Sequence, residues 1–297
     1  MPLIPRIQFH EIDDQPWFPP FLRTYVQGSL TEVWTTRIPL LQPASPAHVA
    51  ANTLTGVLGL RTSAYAFVDF CAGAGGPTPA IERHVNRALR AAARAPVRFV
   101  MTDLHPNPWG WEAAVKRAAA RGDEGPVCLG YEPGSVDASA APRGLVEQYT
   151  RNGGKVFRLY NLAFHHFDNE LARRILKNTV ETSHGFAIFE LQDRTLSTVF
   201  SLFMLAIGIF LAAPYYAWKW RAPSVLFFTY VLPVLPFVLV FDGVVSALRT
   251  RSPDEVEALL RSCGAEGAEK WTVVSGRVQV IWPWGNLNYV IGMPAEG

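Results

Sequence analysis

The stretch Phe67-Val68-Asp69-Phe70-Cys71-Ala72-Gly73-Ala74-Gly75-Gly76-Pro77-Thr78-Pro79 sets the frame for the rest of the chain. Tyr65, Ala66, Phe67 and Val68 are apolar in succession, as in a parallel strand covered on both faces. The strand runs into an acid, Asp69, and then into glycines. Gly73, Gly75 and Gly76 lack a Cβ, so the backbone beyond the strand can approach a ligand closely. Pro77 and Pro79 fit the first turn of a helix predicted over 78–93, where a missing N–H costs little. Strand, glycine turn and helix N-terminus in that order cradle a nucleotide-like cofactor. The dinucleotide pattern G-x-G-x-x-G is broken at Thr78, and a lone glycine turn is a weak signal.

A second acid strengthens it. The strand predicted over 97–102 closes with Asp103, placed to accept hydrogen bonds from ribose hydroxyls. Two strand-end acids around a glycine turn suit an adenosine ligand without phosphate. Further along, helices are predicted over 109–121, 143–152, 169–182 (with Asp168 as cap) and 253–262. Strands are predicted over 127–131, 155–160, 186–190, 271–281 and 286–291. The alternation implies an α/β protein with a doubly wound, mostly parallel sheet.

In this order of motifs the chain, over about 68–294, resembles the class I S-adenosylmethionine-dependent methyltransferases, and within them a fungal-type, membrane-associated branch. The resemblance implies a seven-stranded sheet and S-adenosylmethionine as cofactor. It implies that Asp69, Ala72, Gly73, Gly75 and Gly76 wrap the methionine part of the cofactor and that Asp103, with Leu104 beside it, holds the ribose. Ser135, Val136 and Asp137, in the segment after the third strand, would flank the adenine. The run Asn161-Leu162-Ala163-Phe164-His165-His166-Phe167-Asp168 is similar to the strand-four motif of small-molecule methyltransferases. There His165 or His166 suits a general base near the donor methyl. The alternative is that one packs inward and the other caps the next helix. Asn161 either contacts the cofactor or holds the strand end, and Glu190 either binds an acceptor group or makes a structural hydrogen bond. His105 reads as a loop residue, and Cys71 contributes size, not reactivity.

Between the fifth strand and the last helix, 196–213 and 225–241 carry no charge. The first reaches the low end of a membrane-span length. With ten and thirteen Leu, Ile, Val and Phe residues respectively, insertion into lipid is favourable by several kcal/mol. Burial as two ordinary core helices is the competing expectation, although the sheet already has its covering helices. Lys219, Trp220 and Arg221 in the turn, with Arg194 and Arg249 outside, disfavour pushing the turn across. Pro233 and Pro236 suit a kinked or re-entrant element. The expectation is a shallow hairpin, 195–242, that leaves the catalytic domain (61–194 and 243–297) on the cytosolic face. Residues 1–60 are expected to form a helical cap in which Trp17, Phe21 and Tyr25 touch the acceptor or, equally, pack on the sheet edge.

Composition narrows the class further. A formal net charge of +2 with scattered basic residues shows no nucleic-acid footprint. Cys71, Cys128 and Cys263 are too few and too spread for a disulfide framework or a zinc site, and a reducing compartment follows. Residues 1–20 contain no apolar run of signal-peptide length. The histidines and acids show no metal-ligand spacing on one element, and no G-x-S-x-G is present. The resemblance, together with the two uncharged runs, implies a membrane-bound methyltransferase whose acceptor is lipophilic, a lipid or a secondary metabolite. A non-catalytic membrane-anchored protein with the same fold is the alternative, and an NAD-dependent oxidoreductase ranks below both.

Overall fold

The computed structural model describes residues 4–121, 125–150 and 153–295. The expected chain ends at 1–3 and 296–297, and the last two residues of the helix expected over 143–152, lie outside them.

Seven strands form one sheet: β1 (Tyr65–Phe70), β2 (Phe99–Thr102), β3 (Leu129–Tyr131), β4 (Lys155–Asn161), β5 (Phe186–Glu190), β6 (Trp271–Ile281) and β7 (Gly285–Pro294). Their order is β3-β2-β1-β4-β5-β7-β6. The first five are parallel, while β7 runs antiparallel to β5 and to β6. This is the mostly parallel seven-stranded α/β sheet expected from the sequence. Its centre is apolar on both faces because helices cover both. On one face Phe67, Phe99, Phe157, Leu159 and Phe189 pack with α2 (Pro46–Leu58), α3 (Thr78–Ala91) and α4 (Pro108–Ala119). On the other, Val68, Phe70, Val156, Tyr160 and Ile188 meet α5 (Arg143–Thr150), α6 (Asn169–Thr182) and α10 (Pro253–Arg261). Adjacent β4 residues Val156 and Phe157 thus serve opposite cores, as strand alternation requires.

The helix ends are set by local chemistry. Asp168 caps α6 by accepting from Leu171 N–H at 2.8 Å, as the sequence suggests. Ser252 and Glu255 form a reciprocal capping box on α10. Beneath α6, Arg158 of β4 is fully buried with its guanidinium over the Phe70 ring.

The first 60 residues are not one unit. Helix α2 belongs to the sheet core through Ala50, Leu54 and Leu58, whereas Phe18 and, on α1 (Pro20–Thr35), Leu22 and Val26 face the apolar insert. The insert comprises α7 (Leu196–Lys219), α8 (Ser224–Val231) and α9 (Val234–Arg249). Helix α7 is 24 residues long, and its most apolar 18-residue stretch has a mean hydropathy of 2.3; at 1.5 Å per residue it is long enough to cross a membrane. Helices α8 and α9 meet at a 72° bend at Leu232 and Pro233, where proline removes a helix hydrogen bond. Leu196, Phe203, Leu211 and Trp218 on α7 are 61 to 77% exposed. The last turns of α9 differ, since Asp242, Ser246 and Arg249 are buried against the N-terminal segment.

Candidate active site

The glycine turn sits where β1, β2 and β3 end. Gly73 and Gly75 adopt φ of 52° and 102°, a region glycine occupies without strain. A Cβ on Gly75 would meet Met101 Sδ at 3.5 Å and Trp111 at 3.7 Å. Trp111 Nε1 donates to the Gly73 carbonyl at 2.9 Å, so α4 holds the turn from below. Asp103 is fixed by two backbone donors, Gly73 N–H and His105 N–H, both at 2.8 Å. Its carboxylate therefore keeps one orientation and retains lone pairs for further donors. The segment after β3 is tied to the same corner: Val136 N–H donates to the Asp103 carbonyl at 2.9 Å and Ser135 Oγ to the Leu104 carbonyl at 2.6 Å. Asp137 accepts from Ser139 N–H and Oγ, both at 2.7 Å, and shapes that loop. Gly73, Gly75, Gly76, Asp103, Leu104, Ser135, Val136 and Asp137 are thus brought to one edge of the sheet.

Asp69, Ala72 and Asn161 lie deeper. Ala72 is buried and closes the turn by accepting from Gly75 N–H at 2.7 Å. The Asp69 carboxylate, 1% exposed, accepts from Thr78 Oγ1, to which Asn161 Nδ2 also donates at 3.3 Å. Thr78, which breaks the dinucleotide pattern, is the residue that ties β1 and β4 to α3. Burial, with Asp103 adding, pushes the Asp69 carboxyl up to about 7, although Thr78 and Asn161 pull it down. Asp69 Oδ1 and Asn161 Oδ1 are buried without hydrogen-bond partners among the described residues. Two orphaned acceptors at the root of a glycine turn are an arrangement a cationic donor would satisfy. Cys71, beside them at φ 67°, has its thiol pushed up by burial and then by Asp103, which suits a packing role.

The histidine pair belongs to a different cluster. His165 is fully buried, its Nδ1 2.9 Å from Glu190 Oε2, and its N–H donates to Glu190 Oε1 at 3.2 Å. Its Nε2 is 3.4 Å from Glu11 Oε1. Burial alone lowers the imidazole pKa, but Glu190 and Glu11 outweigh it and raise it to about 10. In that state His165 holds its proton near neutral pH, with its ring between two carboxylates. Glu190 is engaged in holding His165, the structural alternative weighed for it. His166 is half-buried, with Nδ1 3.0 Å from Asp14 Oδ2 and Nε2 3.8 Å from Glu11 Oε2. The Glu11 carboxyl is held down at about 2; burial opposes this, but His166, His165 and Arg249 prevail. Arg249 donates to Glu11 Oε1 at 3.3 Å and to the His165 and His166 carbonyls at 3.2 and 2.8 Å. Glu11, Asp14 and Arg249 were missed by the sequence reading, because no local spacing connects them to the histidines. Nor could the sequence show that Glu11, His165 and His166 form a set with metal-ligand proximity, since the set spans two distant segments.

The aromatic residues expected either to touch the acceptor or to pack on the sheet edge lie near the start of the chain beside the insert. Phe21 contacts Phe228 at 5.6 Å, Tyr25 stacks on Trp220 and bonds Ser224 Oγ at 2.8 Å, and Trp17 is 69% exposed. Phe21 and Tyr25 lie on α1 facing the insert, and Trp17, just before α1, packs edge-on against Phe18. A cavity of about 190 Å³ lies beyond the histidine pair, lined by His165, Glu190, Arg251, Asn288 and Tyr289 among others. The glycine turn forms no part of its wall.

No family model and no curated protein matches the chain. Among solved structures it is similar to the methyltransferase domain of bacterial CtHen1, with 14% identity and a TM-score of 0.41, covering 82% of this chain and 97% of that one. It is also similar to a cyclopropane-fatty-acyl-phospholipid synthase-like protein from Lactobacillus casei, with 9% identity and a TM-score of 0.45, covering 92% and 99%. A protein described as a Zn-dependent alcohol dehydrogenase from Rhodobacter sphaeroides overlaps equally well, with 12% identity and a TM-score of 0.45, covering 91% and 98%. Overlaps of this quality decide neither reaction nor ligand.

Proposed function

We propose that the chain is an S-adenosylmethionine-dependent methyltransferase, held at a membrane with its catalytic domain on the cytosolic side, that acts on a lipophilic small molecule such as a lipid or secondary metabolite. The observation that carries this reading is the glycine turn with Asp103 locked beside it and the orphaned Asp69 and Asn161 oxygens beneath it. These groups match the cofactor part by part. Asp103 would accept from the ribose hydroxyls, the Asp69 and Asn161 oxygens would receive the methionine ammonium, and 135–137 would border the adenine. The cofactor supplies an electrophilic methyl group; the chain's residues bind it, orient it and keep water from it. Calorimetric titration of the detergent-solubilised protein with S-adenosylmethionine, S-adenosylhomocysteine and NAD tests the assignment. Binding of the two sulfur compounds alone is expected, and binding of NAD, or of none, would overturn it. Asp103→Ala should weaken binding by about 1.5–3 kcal/mol, the value of hydrogen bonds to a charged group, which the same titration reads as roughly 10- to 150-fold.

Membrane association is supported by the outward apolar face of α7 and by exposed Phe227, Val231 and Phe237 on α8 and α9. Leu211→Arg on α7 should cost about 3–4 kcal/mol of insertion free energy if it lies near the bilayer centre. Flotation with liposomes is expected to fall accordingly, and unchanged flotation at high salt would remove α7 from the contact. A binding-only role without turnover draws on one specific observation, the pinning of His165 between two carboxylates. Methyl transfer from labelled cofactor into a lipid extract separates the two.

A further inference from the structure

We infer that Glu11, His165 and His166 form a binding site for one divalent first-row transition metal ion, through Glu11 Oε2, His165 Nε2 and His166 Nε2. The candidate ligand atoms lie within 4.8 Å of one another. Glu11 Oε2 lies 3.8 Å from His166 Nε2, and His165 Nε2 lies 3.4 Å from the other oxygen of the same carboxylate, Oε1, near the roughly 3.4 Å that separates ligands on a tetrahedral ion with bonds of about 2.1 Å. His165 Nε2 is a buried ring nitrogen without a hydrogen-bond partner among the described residues, and it faces this set.

The surrounding groups are those a metal site needs. Each histidine turns its other nitrogen to a carboxylate, Nδ1 of His165 to Glu190 at 2.9 Å and Nδ1 of His166 to Asp14 at 3.0 Å. That arrangement fixes the tautomer with the proton on Nδ1 and leaves Nε2 as the ligand atom, as carboxylates do behind metal-bound histidines. Ser246 Oγ donates to Glu11 Oε1 at 2.9 Å and Arg249 to the same oxygen at 3.3 Å. The second carboxylate oxygen, the one nearer His166, is left for the ion. Arg249 and Arg6 also hold the carbonyls around the histidines, Arg6 through Phe167 at 2.8 Å, so the loop that carries the ligands is rigid. Two imidazoles and one carboxylate select zinc, iron(II) or a similar ion over magnesium and calcium, which prefer oxygen ligands. Three protein ligands leave coordination positions open, and with the ion present neither histidine is a free base.

Cobalt(II) titration of the chelator-treated, detergent-solubilised full chain tests the site, read by visible d–d absorption and by calorimetry. One equivalent is expected to bind and to be displaced by zinc. His166→Ala, at a half-buried position, should abolish the absorption, and Glu11→Gln should weaken binding at least tenfold. His48→Ala, which removes one ring of the stacked His48–His84 pair, should leave both readouts unchanged. Absence of the bands in the parent chain, or bands that survive both His166→Ala and Glu11→Gln, would overturn the proposal and leave the cluster as ion pairs with a proton in the metal's place. The measurement requires no S-adenosylmethionine, so it stands or falls apart from the proposed methyl transfer.

Discussion

Asp69→Asn is expected to stabilise the protein by as much as about 4 kcal/mol at pH 8, while changing little at pH 3.5. In the folded chain the carboxyl ionises only near 7, against 3.8 ordinarily, chiefly because it is buried. At low pH both folded and unfolded forms carry the proton, and Asp69 costs nothing. As pH rises from about 4 to 7, the unfolded chain releases its proton first, so the parent protein loses stability across that window and no further above it. Each pH unit corresponds to about 1.4 kcal/mol, which sets the limit of about 4 kcal/mol. An Asn side chain carries no charge to bury and can still accept from Thr78. The same variant should bind S-adenosylmethionine roughly 10- to 150-fold more weakly at pH 8, from loss of about 1.5–3 kcal/mol of charge-assisted hydrogen bonding to the ammonium. Chemical denaturation in detergent across pH 3.5 to 8 reads the first effect and calorimetry the second. A stability difference that does not vary with pH would mean that a cation already pairs the carboxylate in the free protein.

Arg158→Met should lower stability by about 3–5 kcal/mol, because each buried oxygen left without its donor costs about 1–3 kcal/mol. Arg158 is 0% exposed, and its guanidinium donates to Ser183 Oγ at 2.7 Å, the Ala138 carbonyl at 3.0 Å, Asn178 Oδ1 at 2.6 Å and Thr182 Oγ1 at 2.7 Å. Its partners are neutral oxygens from two segments, the loop after β3 and the end of α6, and Phe70 lies beneath it with 4.5 Å between guanidinium and ring centre. Methionine fills much of the space but leaves the buried Ser183 Oγ and the Ala138 carbonyl without this donor. Lysine restores the charge without the planar fork that reaches all of them, so Arg158→Lys should recover less than half of the loss. Because Ala138 ends the segment that would border the adenine, cofactor affinity should fall with stability. Unfolding of Arg158→Met within 1 kcal/mol of the parent would show that water enters to replace the guanidinium.

What the sequence determined alone is what neighbouring residues decide among themselves. A continuous apolar strand, three glycines and two prolines specify β1, its turn and α3 whatever lies around them, and Asp103 was legible because a strand end places its next residue at the sheet edge. Uncharged runs revealed the insert, and Pro233 its break, since cost in water and loss of an N–H are properties of the residues themselves. The resemblance put Asp69 and Asn161 among the cofactor residues, but only the packing of Thr78 showed that they lie beneath the turn and carry orphaned oxygens. The histidine pair marks the limit most clearly. Two adjacent histidines after a strand suggested a base, yet Glu11, 154 positions earlier than His165, and Glu190, 25 positions later, set their charge and their ligand geometry. A proton's affinity or a metal's depends on what stands within a few ångströms in space, and for residues so far apart along the chain only the tertiary structure decides that.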